Sequence, residues 1–368
     1  MKVLCYLATM TILTSQAFAG TILPDLSRSK SEANTSPIAV GFSNRNAANI
    51  SYGRTEADGE LLGTEIYDQS IKNLSASLFL TTSMLHTELT TDFTDDDVEY
   101  GPASLTDTSG DSYNFSGSVA APFADVFSAG VSLEAGRINS LAAGTKSVNN
   151  LIVITPAIGM KFLPNMAAGL GLRHKRNKYK VVVVGTSVTE APTFSNNEFF
   201  AGVAYGVDQK IGENGFGGEV VVSHTPRSEK TQGALTVSQG TTTNVELNGN
   251  FAQDKLDLGV SGLFSTGDNY AKTLKRKAYV VSARPEYMVL ESFYVAPVVA
   301  YVRIENSSPA TGADSNATAK GWSYGSGIGK RTEKLDLELT YAHGTQDVTP
   351  GVYDLTSNTV AARASFYF

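Results

Sequence analysis

Apolar and polar residues alternate with a period of two along most of this chain. Near the C-terminus, Leu335, Leu337 and Leu339 occupy one parity, and Asp336 and Glu338 occupy the other. Successive side chains of a β-strand point to opposite faces, so such a segment predicts a strand with one apolar and one polar face. The same pattern recurs near 127–135, 201–207, 256–264 and 279–289. Helical periodicity is scarce, and an all-β fold is predicted.

The connections between the predicted strands alternate between short and long. Short turns are predicted near 121–125, 163–165, 212–215, 253–255, 290–292 and 331–334. Longer polar segments lie near 90–111, 138–149, 185–195, 230–242, 267–275, 306–319 and 344–355. Short turns at one rim and long loops at the other are typical of bacterial outer-membrane proteins. We therefore expect a transmembrane, antiparallel, up-and-down β-barrel.

The number of strands depends on the segment before residue 73. Residues 73–368 contain fourteen predicted strands, the first of them near 73–89. Residues 20–72 are less regular, and they form either a plug inside the lumen or two further short strands near 47–56 and 60–67. We favour fourteen strands with an N-terminal plug and keep sixteen strands as the alternative, because both counts are even as bacterial barrels require.

The N-terminus has the features of a secretory signal peptide. Lys2 precedes the apolar run 3–13, and Ala17-Phe18-Ala19 supplies the small residues of a cleavage site. Residues 1–19 are therefore predicted to be removed near Ala19, and the chain to pass through the periplasm to the cell outer membrane. The only cysteine is Cys5, so no disulfide is expected in residues 20–368.

The last ten residues form an apolar strand that ends on an aromatic residue. Val360, Ala362, Ala364, Phe366 and Phe368 share one parity. This ending resembles the terminal signature of bacterial outer-membrane barrels, in which the barrel-assembly machinery recognises a last strand that ends in Phe. The resemblance implies that Phe366 and Phe368 are the assembly signal and that this machinery is a partner.

One predicted hairpin carries a family resemblance. Residues 119–132, Val-Ala-Ala-Pro-Phe-Ala-Asp-Val-Phe-Ser-Ala-Gly-Val-Ser, resemble the early hairpin of the bacterial long-chain fatty-acid transporter family. That family has fourteen strands behind an N-terminal plug, and the resemblance implies passage of hydrophobic molecules. The family's Asn-Pro-Ala element is not reproduced, since Asn46-Ala47-Ala48 lacks the proline. No ligand-binding residue is therefore carried over to this chain.

Nine charged residues fall on the parity that is predicted to face the lumen. Acidic and basic side chains that face each other across a pore set the size and charge preference for solutes. The alternative for any one of them is a solvated or paired charge on a polar inner wall. The predicted pore-lining residues are Glu134, Glu219, Glu246, Asp257, Arg284, Glu286, Asp336, Glu338 and Arg363.

Two basic clusters lie where strands are predicted to reach the long-loop rim. Phosphates of lipopolysaccharide are the natural partners of such clusters, and an ordinary solvated rim is the alternative. The predicted contact residues are Arg173, Lys175, Arg176, Lys178, Lys275, Arg276 and Lys277. The acidic residues between Asp92 and Glu99 are expected in the first long loop. Their spacing lacks the glycine-centred EF-hand pattern, so no metal site is predicted.

Composition and motifs narrow the function further. The chain has 29 Lys and Arg against 36 Asp and Glu, a net charge of −7 that argues against a nucleic-acid binder. None of the four histidines lies in a recognisable catalytic motif, so neither an enzyme nor a cofactor is expected. We predict an outer-membrane channel for passive passage of small molecules, of hydrophobic ones if a plug is present. The alternatives are a general diffusion porin for hydrophilic solutes and a non-transporting surface, adhesion or envelope-integrity barrel.

Overall fold

The computed structural model describes residues 46–61, 64–82, 85–100, 107–124, 126–142, 145–183, 188–190, 193–206, 214–232, 235–269, 271–272, 274–307, 317–349 and 353–368. In this part of the chain no helix is long and apolar enough to cross a membrane. The described strands are β1 (Ala47–Leu61), β2 (Thr64–Thr81), β3 (His86–Tyr100), β4 (Thr108–Ala124), β5 (Phe127–Ala142), β6 (Thr145–Leu163), β7 (Met166–Val183), β8 (Val188–Glu190), β9 (Phe194–Tyr205), β10 (Gly215–Thr225), β11 (Ser228–Gln232), β12 (Leu235–Gln239), β13 (Thr242–Gln253), β14 (Leu256–Asp268), β15 (Lys275–Met288), β16 (Phe293–Ser307), β17 (Ala317–Arg331), β18 (Leu335–Thr349) and β19 (Tyr353–Tyr367).

The first strand pairs with the last, and this pairing closes the sheet into a barrel. β1 runs antiparallel to β19 from Ala47 opposite Tyr367 to Leu61 opposite Tyr353. Its other edge pairs with β2. Among the described strands, sixteen follow one another around the wall: β1–β7, β9, β10 and β13–β19. The short β8 only adds to the end of β7, and β11 and β12 form a separate hairpin.

The alternative of sixteen strands is confirmed, and the favoured count of fourteen is corrected. Residues 47–72, which the favoured interpretation placed in a plug, form β1 and the first half of β2. The strand predicted near 73–89 is the end of β2 and the start of β3, because the connection at 82–85 contains neither glycine nor proline to mark a turn. Residues 1–45, with the predicted signal peptide and the rest of the plug, lie outside the described residues.

The acidic segment predicted as a loop is part of a strand. β3 continues through Asp92 to Tyr100 and pairs with β2 on one side and β4 on the other. Asp95 forms an ion pair of 3.3 Å with Lys72, and Asp96 accepts a 2.8 Å hydrogen bond from Gln69. Cross-strand partners of this kind hold acidic residues in a ladder that their intrinsic strand propensity disfavours.

The connections define two different rims. Short connections at 125–126, 164–165, 254–255, 289–292 and 332–334 lie at the rim where the C-terminus ends, which we call the turn rim. The opposite rim, the loop rim, carries the longer connections 101–107, 184–193, 226–241, 269–274 and 308–316. Three short connections at the loop rim, 62–63, 143–144 and 350–352, and the longer 206–214 at the turn rim depart from the predicted alternation. In outer-membrane barrels the short turns face the periplasm.

Alternate side chains face the outside and the interior of the wall. On β18, Leu337, Leu339 and Tyr341 are about half exposed, while Asp336 and Thr340 on the other parity are buried. The exposed apolar residues form a band around the barrel, which includes Ile50, Tyr52, Leu74, Leu133, Ile158, Leu170, Val203, Val222, Leu247, Val281, Val299, Trp322, Ile328 and Val360. Hydrocarbon chains, not water, match an outer surface of this composition.

The closing pair can be tested by a disulfide. Thr55 and Thr359 lie opposite each other in the β1–β19 ladder, with hydroxyl oxygens 2.9 Å apart. Opposed residues of antiparallel strands have Cα atoms about 4.5–5.5 Å apart, within reach of a disulfide. We expect Thr55→Cys with Thr359→Cys, in a chain that begins at residue 20, to cross-link and change migration on a non-reducing gel.

The matched control combines Thr55→Cys with Ser223→Cys, since Ser223 also faces inward but lies on β10. This control pair is expected to stay reduced. A cross-link in the control pair only, or in neither pair, would contradict the closure of the wall through β1.

Candidate functional site

A network of charged side chains lies inside the barrel in the half nearer the turn rim. It combines three arginines, three acids and one tyrosine from five consecutive strands. Its positive and negative charges are equal in number. Its members are Arg284 and Glu286 on β15, Tyr294 on β16, Arg331 on β17, Asp336 and Glu338 on β18, and Arg363 on β19.

Arg331 joins two acids from strands on either side of it. Its Nη1 lies 2.5 Å from Glu286 Oε1, and its Nη2 lies 2.9 Å from Asp336 Oδ2. The guanidinium carbon also lies 4.9 Å from the centre of the Tyr294 ring. The planar guanidinium offers several donors in fixed directions, which suits a residue that bridges two carboxylates. Arg331 thereby fixes the relative positions of β15 and β18.

Glu338 is the second junction of the network. Its carboxylate accepts hydrogen bonds from Arg284 at 2.5 Å and from Arg363 at 2.6 Å. β15 and β18 are not neighbours in the wall, so the Arg284 contact crosses the inner surface of β16 and β17. The Tyr294 hydroxyl donates to Asp336 at 2.8 Å, and this contact crosses β17 in the same way. These contacts establish which parity of the strands faces the interior.

Two glycines on β17 make room for these crossings. The ring of Tyr294 lies directly over Gly329, and the carboxylate of Glu338 lies over Gly327. A Cβ atom at either position would overlap the side chain that now occupies the space. β17 is therefore bare on its inner face at the level where side chains of β16 and β18 meet.

The nine residues predicted to line a pore all lie on the inward parity. Five belong to the network just described. Glu134 lines a cavity with Arg173 and Lys175. Glu246, Glu219 and Asp257 lie on the inward faces of β13, β10 and β14, where Asp257 is opposite Glu286. That these residues select solutes stays a prediction.

The prediction that Arg173 and Lys175 lie at an outer rim was wrong. Arg173 Nη1 is 3.0 Å from Glu198 Oε1, Lys175 pairs with the same carboxylate, and Glu198 is only 3% exposed. The odd parity of β7 faces the interior, whereas Arg176 and Lys178 on the even parity are exposed. The basic residues of this strand therefore divide between two faces of the wall.

The second basic cluster, at the start of β15, also divides by parity. Lys275 and Lys277 are exposed at the loop rim, whereas Arg276 lies on the inward parity and is partly buried. The prediction that Arg276 lies at the outer rim is therefore wrong as well. Contact of Arg176, Lys178, Lys275 and Lys277 with lipopolysaccharide stays a prediction. The same holds for Phe366 and Phe368 as an assembly signal, although both side chains are exposed on the outward parity.

A polar cavity lies against the inner face of β3 to β7. Its volume is about 170 Å³. Of its charged residues, Glu134 is predicted from the sequence to face the lumen, Arg173 and Lys175 are predicted at the rim, and Glu88 and the hydroxyl groups are not predicted. The signal was present as serines at alternate positions 116 and 118 on the polar parity of β4. Its lining includes Glu88, Ser118, Glu134, Thr155, Arg173 and Lys175.

The inward face of β14 to β17 becomes apolar towards the loop rim. Ala278, Val280, Val302, Ile304 and Ala319 form a buried cluster, and Leu263 packs against it. We call this set the apolar cluster. Alternation alone predicted a polar inner wall throughout, so this feature was missed. Apolar residues on both parities of β16, such as Val299 outward and Val302 inward, were the available signal.

Side-chain contacts at the loop rim, chiefly those of the Asp268 carboxylate, hold the base of the β11–β12 hairpin. Asp268 Oδ1 accepts hydrogen bonds from the backbone N–H of Thr241 at 2.8 Å and from its hydroxyl at 2.7 Å. Arg227 Nη2 lies 2.9 Å from Asp268 Oδ2. Gln239, at the end of the hairpin, is hydrogen-bonded to Asn196, which lies on the inward parity of β9. The hairpin base is therefore held against the opening of the barrel.

Comparisons with known proteins agree with this architecture. No family model matches the chain, and no curated protein matches it. Among solved structures, CdiB from Acinetobacter baumannii has a TM-score of 0.51 at 7% identity, covering 85% of this chain and 60% of that one. Such a likeness shows the fold. The chain is a closed β-barrel of the outer-membrane type.

Two further solved structures cover almost the whole of this barrel. A FadL homologue of Pseudomonas aeruginosa has a TM-score of 0.45 at 13% identity, with 90% of this chain and 92% of that chain covered. The toluene transporter TbuX of Ralstonia pickettii has a TM-score of 0.46 at 9% identity, with the same two coverages.

The buried tyrosine of the network is expected to contribute to stability. Tyr294→Phe removes the hydroxyl that donates to Asp336 and leaves the carboxylate buried with one partner fewer. We expect the free energy of unfolding to fall by about 1–3 kcal/mol, the cost of an unsatisfied buried polar group. Urea unfolding of the refolded barrel in lipid vesicles measures this change.

Tyr341→Phe is the matched control for that substitution. The Tyr341 hydroxyl donates to Asn358 at 2.8 Å, but the side chain is 52% exposed on the outward parity. Its loss is expected to cost less than about 1 kcal/mol, since Asn358 Oδ1 keeps a second hydrogen-bond contact of 3.0 Å with His343 Nδ1. Equal losses for the two variants would contradict a larger contribution from the buried Tyr294 contact.

The attachment of the hairpin is expected to depend on pH. Hydrogen bonds from Thr241 and the charge of Arg227 lower the pKa of Asp268 from 3.8 to about 2. A carboxyl group whose pKa is lowered by folding stabilises the contact above its unfolded pKa, and the effect is lost as pH falls through the folded pKa. A spin label at exposed Ser238 is therefore expected to gain mobility between about pH 4 and pH 2.

Asp268→Asn is the reference for this titration, because it removes the charge and keeps the side-chain shape. In this variant the label is expected to be mobile at every pH in the range. A label that stays equally immobile in both chains would show that Asp268 does not hold the hairpin.

Proposed function

We propose that the chain is an outer-membrane channel for the passive passage of small, largely apolar molecules. The observation that carries this proposal is the apolar cluster, which lies on the inward face of β14–β17 near the loop rim. The inner wall of a water-filled porin is polar throughout. An apolar inner surface lowers the free energy of solutes that expose apolar groups, and not that of sugars or ions.

The interior changes character between the two rims. Between the apolar cluster and the turn rim, several inward residues of the same strands are small, such as Ser282, Ala300 and Ser323. The charged network follows in the half nearer the turn rim. Its charges are already paired with one another, so they bind a passing solute weakly. Passage through a channel requires binding that is strong enough for entry and weak enough for release.

The hairpin at 119–132, with its resemblance to the long-chain fatty-acid transporter family, supports the same class of solute. The sixteen-stranded wall departs from the fourteen strands of that family. It also shortens the segment that can act as a plug, because β1 begins at Ala47. A plug, if one is present, lies within residues 20–45. A deletion test must stop there, since loss of 20–72 would remove β1 and half of β2.

A general diffusion porin is the second candidate, and the charged residues on the inward face favour it. Glu219, Glu246 and Asp257 add acidic groups outside the charged network. An open polar lumen would conduct ions without preference for apolar solutes. The two functions therefore differ in what they carry and in the current they pass.

Substitution inside the apolar cluster tests the first candidate. Val302→Thr places a hydroxyl in the cluster at nearly constant volume. We expect slower uptake of the apolar fluorophore N-phenylnaphthylamine by bacteria that carry the variant in an intact outer membrane. The matched control is Val299→Thr, because Val299 lies on the same strand but faces outward. Entry of the hydrophilic β-lactam nitrocefin is expected to be the same in all strains.

The opposite result identifies the second candidate. Rapid nitrocefin entry, large ohmic current steps from chain 20–368 in a planar bilayer, and no effect of Val302→Thr would establish a diffusion porin. If the chain and a version without residues 20–45 both pass no current and admit neither probe, a non-transporting surface barrel would be favoured instead.

A further inference from the structure

The polar cavity against β3–β7 carries acidic groups on one side and basic groups on the other. We propose that this cavity is a binding site for a small zwitterionic solute such as an α-amino acid. The carboxylates of Glu88 and Glu134 receive the ammonium group of the solute, and Arg173 and Lys175 receive its carboxylate. The apolar cluster lies on different strands, β14–β17, so this site is an addition to the proposed channel function.

Neighbouring side chains on β9 hold the basic residues of the cavity in place. Glu198, buried on β9, pairs with both Arg173 and Lys175. The guanidinium of Arg173 lies 4.8 Å from the centre of the Phe200 ring, and Phe200 lies against Gly171 on the same strand as Arg173. The Lys175 side chain keeps 34% of its surface exposed. Its ammonium group has three donors, more than the contact with Glu198 uses.

The two acidic residues of the cavity lie on β3 and β5, on either side of the serine-rich inner face of β4. Glu88 on β3 is 5% exposed and accepts a 3.2 Å hydrogen bond from Thr90. Glu134 on β5 is separated from Lys175 by the single strand β6. Adjacent strands are about 4.8 Å apart, so the backbones that carry Glu134 and Lys175 are about 10 Å apart across β6. Both side chains line the cavity. The cavity of about 170 Å³ has room for a molecule of that size.

A buried hydroxyl without a partner points to a bound molecule. Ser118 is 5% exposed and lines the cavity, and its Oγ has no hydrogen-bond partner among the described residues. A buried polar group without a partner is unfavourable, and most such groups in folded proteins are satisfied. Thr155 adds a second hydroxyl to the lining, two strands away on β6. Both hydroxyls can donate to a carboxylate or accept from an ammonium group.

The arrangement of charges selects the class of solute. A simple anion in the cavity would lie beside Glu88 and Glu134, and a simple cation would lie beside Arg173 and Lys175. Repulsion between like charges is stronger in a partly buried site than in bulk water. Only a molecule that carries both charges satisfies both sides at once. Electrostatic complementarity of this kind gives specificity more than affinity.

Three small molecules of related structure test this specificity. Norvaline carries both charged groups, pentanoate lacks the ammonium group, and n-butylamine lacks the carboxylate. Their binding to refolded chain 20–368 in an uncharged detergent is measured by isothermal titration calorimetry. We expect norvaline to bind about tenfold or more tightly than either of the others, since each of them loses a charge-assisted contact.

Two substitutions locate the binding in this cavity. Ser118→Ala is expected to weaken norvaline binding several-fold, and Glu134→Gln to weaken it about tenfold while the binding of pentanoate improves. Ser323→Ala is the matched control, because the Ser323 hydroxyl is equally buried and without a partner among the described residues but lies on β17. It is expected to leave norvaline binding unchanged.

Three outcomes would overturn the proposal. They are equal binding of norvaline and either single-charge analogue, no saturable binding of norvaline, and an equal loss in Ser323→Ala and Ser118→Ala. None of them bears on the uptake experiment with Val302→Thr, because calorimetry measures binding without passage. The two proposals can therefore fail separately.

Discussion

The structure depends on one constraint, the pairing of every backbone N–H and C=O group that lies in hydrocarbon. No water is available there, so an open sheet edge inside a bilayer would leave a row of unsatisfied donors and acceptors. The β1–β19 ladder removes both edges of the sheet. Closure also creates an outer and an inner surface with different surroundings. Leu339 and Asp336 are therefore close in sequence, although Leu339 faces lipid and Asp336 belongs to the charged network.

The period of two was sufficient to predict which side chains face inward. It placed Arg284, Glu338 and Arg363 on the interior parity without knowledge of the strand count. It failed where strands extend beyond the apolar band, because water then surrounds both faces and alternation disappears. β3 illustrates this, since its residues 92–99 are mostly polar on both parities and the sequence predicts a loop there. The favoured prediction does not include β1 among the strands for a related reason. Arg54 and Glu56 are charged residues on its outward parity, where an apolar pattern would have indicated a strand.

The partners of inward residues could not be predicted in this way. Tyr294 meets Asp336, and Arg284 meets Glu338, only because the wall curves and the β17 positions beneath these contacts are glycines. Curvature and the level of each residue in the barrel follow from the register of all the strands, which no single segment encodes. Arg173 and Lys175 were misplaced for a simpler reason. They were grouped with Arg176 and Lys178 by charge, although their parity separates them.

The seam between the first and last strands gives the barrel a very high contact order. Thr55 and Thr359, hydrogen-bonded in the finished wall, are 304 positions apart in the chain. Contacts of this sequence separation form late, since the entropy of closing so long a loop opposes them. Until β19 is present, β1 offers an unpaired edge to any other strand it meets. Export of a chain that ends before residue 353 would therefore yield a permanently open sheet, so the last fifteen-residue strand decides whether all the earlier ones become a barrel or an aggregate.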